Sequence, residues 1–246
     1  MYTNFDAHLG VDQTQISQDF IVITDTDIDG NFLLHHFISH FLQKRKGRVC
    51  LLGFAQTQSH YTSACHKMGV NLQTAIAKKD FVFVDMLRML YDGFMAEIAD
   101  SNNLFSDVDS LKPLMELVNV IVAGDSPSLV VVDDISTLVN IGVPVQNIAD
   151  FLHYCKTLIT QKDVTFVFLS HTDTEDPELS LLHCWLKRYV TLEINVRALK
   201  SGFSKELSGD MSITHNNKQH TAKHLHFKLL DKDVKFYAPG TASVVL

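Results

Sequence analysis

The chain has 246 residues, with 21 Lys and Arg against 28 Asp and Glu, and a formal net charge of −7. This length suits one α/β domain, and the acidic balance argues against a chain that binds nucleic acid alone, because such binding depends on cationic contacts to phosphate. The first twenty residues lack a basic start and an apolar core, so no signal peptide is expected, and no apolar run reaches the ~20 residues of a membrane-spanning helix. The four cysteines lie in apolar runs and are predicted to be reduced and buried.

Short apolar, β-branched runs alternate with amphipathic stretches along most of the chain. Six strands are predicted, at 20–24, 48–54, 81–86, 128–134, 164–170 and 189–196. The helices between them are predicted at 30–46, from Ser59 as N-cap to Gly69, from the third strand through Ala99, at 111–122, at 145–160 and at 177–188. A polar loop is predicted at 100–109.

This alternation predicts an α/β fold of three layers, with a mainly parallel central sheet flanked by helices on both faces. Beyond residue 196 the pattern changes to two hairpins, one turning near Ser208–Asp210 and one near Asp231–Asp233. These antiparallel hairpins extend the sheet at its C-terminal edge. We therefore predict a single domain over 1–246, with 1–18 as a flexible or interface arm and 197–246 as the hairpin extension.

The turn after the first strand is where such sheets usually bind a phosphate. A P-loop needs G-x-x-x-x-G-K-[ST], but here the turn holds Asp25, Asp27, Asp29, Gly30 and Asn31, without the lysine and the hydroxyl. A carboxylate ~4 Å from a phosphate charge repels it by about 1 kcal/mol in water and about 4 kcal/mol at a partly desolvated surface. A helix N-terminus returns no more than ~1–2 kcal/mol. The sequence thus predicts no nucleotide and no other cofactor at this turn.

The same turn has an alternative interpretation as a calcium loop. Asp25, Asp27, Asp29 and Gly30 match the first half of an EF-hand loop, but His36 stands at the twelfth position in place of a bidentate Glu. An EF-hand also needs a helix before the loop, and this loop follows a strand. We expect instead that the carboxylates bond to the amides of the following helix.

A second acidic pair ends the fourth strand and resembles a Walker B motif. Asp133 and Asp134 follow three valines, but without a P-loop lysine they are expected to cap the segment 136–141 and not to catalyse. His171 ends the fifth strand and is interpreted as a vestigial sensor or a strand cap. No catalytic residue is predicted.

Histidine pairs and basic residues complete the set of candidates. His36 and His40 share a helical face, and His224 and His226 share a strand face, but neither pair has a third ligand in the sequence, so no metal is predicted. Lys200 and Lys205 flank Phe203 in the predicted first hairpin, an arrangement that suits single-stranded RNA. The other basic clusters, at 44–48 and 187–188, are expected to be solvated faces.

Several short segments have a combined pattern that is specific in its order. They lie at 29–37, 59–61, 111–114, 131–136, 150–155 and 231–236 and at the C-terminal end. Together they resemble the Elongator complex protein 6 family, the sixth Elongator subunit, over nearly the whole chain. It implies a RecA-like fold without working Walker motifs and without fixed catalytic residues. The alternative is a nucleotide-dependent ATPase of the RecA/KaiC type with a divergent P-loop.

The resemblance also implies partners. Proteins of this family assemble with the fourth and fifth Elongator subunits into a heterohexameric ring of two copies each, which docks on the catalytic Elongator core. The ring binds tRNA and supports modification of the wobble uridine, in the cytoplasm and the nucleus. No membrane contact is expected.

Overall fold

Nine strands form one mixed sheet in the computed structural model, which describes residues 5–9, 18–45, 47–89, 92, 111–124, 126–173, 175–200, 202–216 and 222–239. The strands are β1 (Phe20–Thr26), β2 (Arg48–Gly53), β3 (Phe81–Asp85), β4 (Ser128–Val132), β5 (Val164–His171), β6 (Leu192–Arg197), β7 (Gly209–His215), β8 (Lys223–Leu229) and β9 (Val234–Tyr237). Their order across the sheet is β3-β2-β4-β5-β1-β6-β7-β8-β9. The predicted loop at 100–109 lies outside the described residues.

The first six strands are parallel and the last three are antiparallel to their neighbours. β1 lies in the middle, with Ile23 in register with Leu169 of β5 and with Ile194 of β6. β6 pairs with β7, β7 with β8 and β8 with β9, all in antiparallel sense. The predicted mainly parallel sheet with an antiparallel C-terminal edge is confirmed.

Helices cover both faces of the sheet. They are α1 (Phe5–Leu9), α2 (Asn31–His40), α3 (Gln58–Lys67), α4 (Leu72–Ala77), α5 (Lys112–Ile121), α6 (Ser136–Asn140), α7 (Val145–Gln161) and α8 (Pro177–Tyr189). A single π-helical turn, Phe41–Arg45, continues α2. None of the described helices is long and apolar enough to cross a membrane.

Each strand supplies side chains to two separate apolar cores because successive residues of a strand point to opposite faces. In β1, Phe20 and Val22 join the core under α5 to α8, whereas Ile21 and Ile23 join the core under α1 to α4. Burial on both faces explains why β1, β2, β4 and β5 read as continuous apolar runs. The result is the three-layer arrangement that the sequence predicted.

One predicted hairpin turn is wrong. Gly209 does not form a turn near Ser208–Asp210 but begins β7, and the segment between β6 and β7 is the longer stretch 198–208. A Cβ at Gly209 would lie 2.6 Å from the carbonyl oxygen of Arg197 and 2.8 Å from the ring of Phe227. The glycine is therefore needed for close packing of the strand. The second turn, near Asp231–Asp233, is present between β8 and β9.

Smaller differences concern helix ends and one cysteine. The N-cap of α3 is Thr57 and not Ser59, because the Thr57 hydroxyl accepts the His60 N–H. The short helix α4, capped by Asn71, was not predicted. Cys184 is exposed, unlike the other three cysteines. It lies two positions after the buried Leu182 on α8, and residues two apart on a helix point in nearly opposite directions.

Candidate functional site

The turn after β1 is closed by its own carboxylate. Asp25 is buried, with 3% of its surface exposed, and its Oδ2 accepts the backbone N–H of Gly30 at 2.7 Å. Its Oδ1 lies 2.6 Å from Nδ1 of His171, the residue that pairs with it across β1 and β5. The amide that a phosphate would meet first at the N-terminus of α2 already has an anionic partner inside the chain.

The rest of the turn repeats this arrangement. Oδ1 of Asp29 accepts the N–H of Asn31 at 2.7 Å. The Asn31 side chain is buried, and its Oδ1 lies 3.2 Å from the Tyr61 hydroxyl. Gly30 is tightly enclosed, since a Cβ there would lie 3.2 Å from Leu169. Two amides at the start of α2 are thus occupied by aspartates of the same turn.

The three aspartates do not converge on a cation position. Asp25 points inward, whereas Asp27 and Asp29 are exposed, and Asp27 has a positive φ of 59°. Within the described part of the chain, one group of possible metal ligands comes together. It consists of Asp6, His36 and His40, whose ligand atoms all lie within 4.8 Å of one another. The geometry of the turn therefore disfavours the calcium alternative, and His36 and His40 have the third neighbour that the sequence did not reveal.

The first carboxylate after β4 holds a neighbouring turn. Asp133 is fully buried and accepts the backbone N–H groups of Phe54, Ala55 and Gln56 at 2.5, 3.0 and 3.0 Å. The Tyr61 hydroxyl donates to it at 3.0 Å. Burial raises the pKa of Asp133, and the four hydrogen bonds oppose that rise. Asp133 was expected to cap 136–141, but it instead fixes the segment after β2.

The second carboxylate does cap the following helix. Oδ1 of Asp134 accepts the N–H of Ser136 at 2.9 Å, and its Oδ2 accepts the Thr137 hydroxyl at 2.7 Å. These bonds satisfy hydrogen-bond donors at the start of α6, a role that acidic residues before a helix usually have. Both oxygens that a Walker B carboxylate would offer to a metal are engaged inside the chain.

His171 joins the two acidic positions. Its Nδ1 contacts Asp25, and its Nε2 lies 3.9 Å from Oδ2 of Asp134. The hydrogen bond to Asp25 raises the pKa of His171 to about 9, with the charge of Asp134 acting in the same direction, so the ring is protonated near neutral pH. A cation from the chain itself thus neutralises part of the negative charge at this edge of the sheet.

The predicted RNA-binding residues lie in the segment between β6 and β7. Lys200, Phe203 and Lys205 are exposed, and Phe203 has 93% of its surface exposed. Phe203 lines a groove of about 430 Å³ together with Asp27 and Ile28. The structure therefore brings this segment beside the turn after β1, a proximity that the sequence did not predict because the two are far apart in the chain.

A second cleft adjoins the same segment and adds a cation that the sequence analysis missed. Arg197 ends β6, next to Thr26 of β1, and lines a cleft of about 380 Å³ with Lys200 and His224. His226 lies in the same cleft, with Nδ1 2.5 Å from Asp210. The one signal for Arg197 in the sequence was its position, directly before the segment that contains Lys200 and Lys205.

Comparison with protein families gives a match over almost the entire chain. Residues 2–235 match the family described as Elongation complex protein 6. The Elongator complex protein 6 of Xenopus tropicalis is 31% identical, with 100% of each chain covered. The human Elongator complex protein 6 is 30% identical, with 92% of each chain covered.

Solved structures show the same architecture in more distant proteins. A KaiC-like protein of Pyrococcus horikoshii superposes with a TM-score of 0.62 at 10% identity, over 90% of each chain. The flagellar accessory protein FlaH of Methanocaldococcus jannaschii gives a TM-score of 0.66 at 14% identity, over 96% of each chain. These likenesses establish the RecA-like fold.

Proposed function

We propose that this chain, which belongs to the Elongator complex protein 6 family, is a non-catalytic subunit that acts through contacts with proteins and RNA and not through a bound nucleotide. The observation that carries the proposal is the hydrogen bond from the Gly30 N–H to the buried carboxylate of Asp25. It fills the position where a phosphate would bind in a nucleotide-dependent relative of this fold.

A triphosphate would have to displace this carboxylate or bind beside it. Displacement would break the bonds of Asp25 to Gly30 and to His171. Binding beside it would place like charges within ~4 Å, at a cost of about 4 kcal/mol near a protein surface. Neither the lysine nor the hydroxyl of a P-loop is present to compensate, because Asn31 and Phe32 occupy those positions.

For its partners, we propose the arrangement that the family resemblance implies. The chain would pair with the fourth and fifth Elongator subunits in a heterohexameric ring of two copies each, docked on the catalytic core in the cytoplasm and nucleus. Head-to-tail contacts close into a ring when each subunit offers two different surfaces. Apolar side chains are exposed at both ends of the sheet, Val82 on β3 and Leu229 and Leu230 beside β9.

For tRNA, we propose that the segment between β6 and β7 provides the contact. Phe203 offers a stacking surface, and Arg197, Lys200 and Lys205 offer cations in the same stretch of the chain. The acidic Asp27 lies beside the same segment, which favours a contact of limited area. In this proposal the ring as a whole supplies most of the affinity, and this chain positions the RNA for wobble-uridine modification.

Mixing experiments test the ring. We expect the purified chain to form a complex of two copies of each subunit with the fourth and fifth Elongator subunits, measured by size-exclusion chromatography with light scattering. Val82→Glu and Leu230→Glu should each break one contact, whereas Leu181→Glu, at an exposed position on α8, should not. A wild-type chain that stays monomeric in the presence of both partners would refute the proposal.

Nucleotide assays on the isolated chain separate this proposal from its main alternative. A RecA/KaiC-type ATPase with a divergent P-loop would show ATP turnover or an ATP-dependent rise in Tm, and Asn31→Ala would reduce both. Under our proposal neither signal appears, with or without Mg²⁺. Calcium added alone should likewise leave the Tm of the wild-type chain and of Asp27→Ala unchanged.

A further inference from the structure

Two histidines of α2 converge on one carboxylate oxygen of α1. Oδ1 of Asp6 lies 2.9 Å from Nε2 of His36 and 3.3 Å from Nδ1 of His40. The three ligand atoms lie within 4.8 Å of one another. The histidines are four apart, so both rings leave α2 on the same side, one turn apart.

One nitrogen of this cluster is left without a hydrogen bond. His40 is 3% exposed, and its Nδ1 has no hydrogen-bond partner among the described residues, because the 3.3 Å contact with Asp6 lacks the geometry of a hydrogen bond. A buried polar atom in this state destabilises the fold. Buried polar groups without a partner are uncommon in native proteins, and a role as a metal ligand explains such a group.

The spacing of the ligand atoms matches a tetrahedral metal centre. With bonds of about 2.0–2.1 Å, neighbouring ligands of a tetrahedral zinc ion are separated by roughly 3.3 Å. The two distances from Asp6, 2.9 and 3.3 Å, are close to this value. The two histidine nitrogens lie within 4.8 Å of each other, so rotation of the two rings toward a common point would bring all three atoms within bonding distance of one ion.

We infer that Asp6, His36 and His40 form a binding site for one divalent transition-metal ion, which we assign as zinc. Two imidazoles and one carboxylate suit zinc, whereas magnesium and calcium prefer oxygen ligands alone. Iron(II) can use the same three ligand types but needs open positions for its chemistry. Here His36 is fully buried and His40 nearly so, which favours a structural role for the ion, and a water molecule reaching the half-buried Asp6 would complete the tetrahedral coordination.

The consequence would be a link between the N-terminal helix and the edge of the sheet. Phe5, next to Asp6 on α1, packs its ring edge-on against His36 at 4.7 Å and stacks on Phe236 of β9 at 4.8 Å. A bound ion would hold α1 on α2 and, through Phe5, support the outermost strand. This inference does not depend on the proposed function, since it concerns the metal content of the isolated chain.

Metal titration of the full chain tests the inference. After dialysis against EDTA, the chain should take up one equivalent of Zn²⁺ in competition with a chromophoric chelator, and its Tm should rise by roughly 5–10 °C at a 100-fold excess over Kd. Co²⁺ should give visible absorption bands of tetrahedral intensity, a readout that reports directly on coordination.

Three variants assign the ligands. His40→Ala and Asp6→Asn should each weaken Zn²⁺ binding by roughly tenfold or more and abolish the cobalt bands. Asp6→Asn is the milder change, because Asp6 is half-buried, and circular dichroism would verify that it folds. The matched control is His60→Ala, because His60 and His35 form an exposed pair with Nε2 atoms 3.2 Å apart.

Two results would overturn the inference. One is the failure of the folded wild-type chain to bind Zn²⁺ at micromolar concentrations. The other is binding that survives in His40→Ala and Asp6→Asn but disappears in His60→Ala, which would place the ion at the exposed pair.

Discussion

Replacement of Asp133 by alanine separates a structural carboxylate from a catalytic one. A carboxylate whose role is to bind a metal usually lowers the free energy of unfolding of the metal-free protein, so its removal is neutral or stabilising. A carboxylate that satisfies buried donors stabilises the fold, and its removal is destabilising. Asp133 is fully buried and accepts four hydrogen bonds from the segment after β2 and from Tyr61, so we expect the second outcome.

The magnitude follows from what each donor can do once the carboxylate is gone. The N–H of Phe54 is buried and loses its acceptor, at a cost of about 1–3 kcal/mol. Ala55 is exposed and Gln56 half-buried, so their amides can bond to water at a smaller cost. The Tyr61 hydroxyl keeps Asn31 at 3.2 Å as a second acceptor. Together these terms predict a loss of about 3 kcal/mol in the free energy of unfolding.

Urea denaturation followed by circular dichroism measures this loss. Tyr61→Phe alone should cost about 1 kcal/mol, and less than that in the Asp133→Ala background, because the bond between them is then already absent. Asp150→Ala, which removes an exposed carboxylate from α7, should change stability by less than about 0.5 kcal/mol. If Asp133→Ala proved neutral or stabilising, the structural assignment would be refuted and a metal-binding role would have to be reconsidered.

Three further predictions concern RNA, pH and packing. Phe203→Ala should weaken tRNA binding by the assembled hexamer by roughly tenfold, measured by filter binding, and should leave the Tm of the chain unchanged in differential scanning fluorimetry. Equal tRNA affinities of wild type and variant would exclude stacking of a base on the Phe203 side chain. His171→Gln should cost less than about 1 kcal/mol, since the ring is half-exposed. Because its folded pKa is raised from 6.5 to about 9, this contribution is complete below pH 6.5 and is lost as the pH rises through 9, so wild type and variant should converge in urea melts at high pH. Gly209→Ala should cost about 1–3 kcal/mol in the same melts because its Cβ would lie 2.8 Å from Phe227, and a neutral result would contradict the packing argument.

The sequence predicted the fold well where local patterns and the final arrangement agree. All six parallel strands were predicted. Four of them, β1, β2, β4 and β5, are buried on both faces and therefore read as continuous apolar runs, whereas β3 and β6 are only partly buried. The predicted hairpin turn near Ser208–Asp210 was wrong because glycine occurs both in turns and at positions where strands pack closely. Gly209 resembles a turn glycine, but its small size is needed against the ring of Phe227, a contact between strands that are adjacent only in the folded chain.

The residue types of the site could be predicted from the sequence, but the contacts between residues that are distant in the chain could not. The missing P-loop lysine and the acidic turn were visible in the sequence, and the bond of Asp25 to Gly30 joins two residues of that same turn. The contact of His171 with Asp25 joins residues 146 positions apart, and the contact of Asp6 with His36 joins residues 30 apart. Strand order and helix docking create such contacts, and neither can be read from the spacing of a single sequence.

Taken together, the contacts at the carboxyl edge show how the chain satisfies the amide donors of two helix N-termini with its own side chains. The start of α2 and the start of α6 both present amide donors that favour an anion. Asp25 and Asp29 satisfy those of α2, Asp134 satisfies those of α6, and protonated His171 lies between the two groups of carboxylates. A phosphate and its metal would supply the same pattern of negative and positive charge. Because the side chains already provide this pattern, our proposal expects the edge to gain little from binding a nucleotide and to contact other molecules through its outer surface.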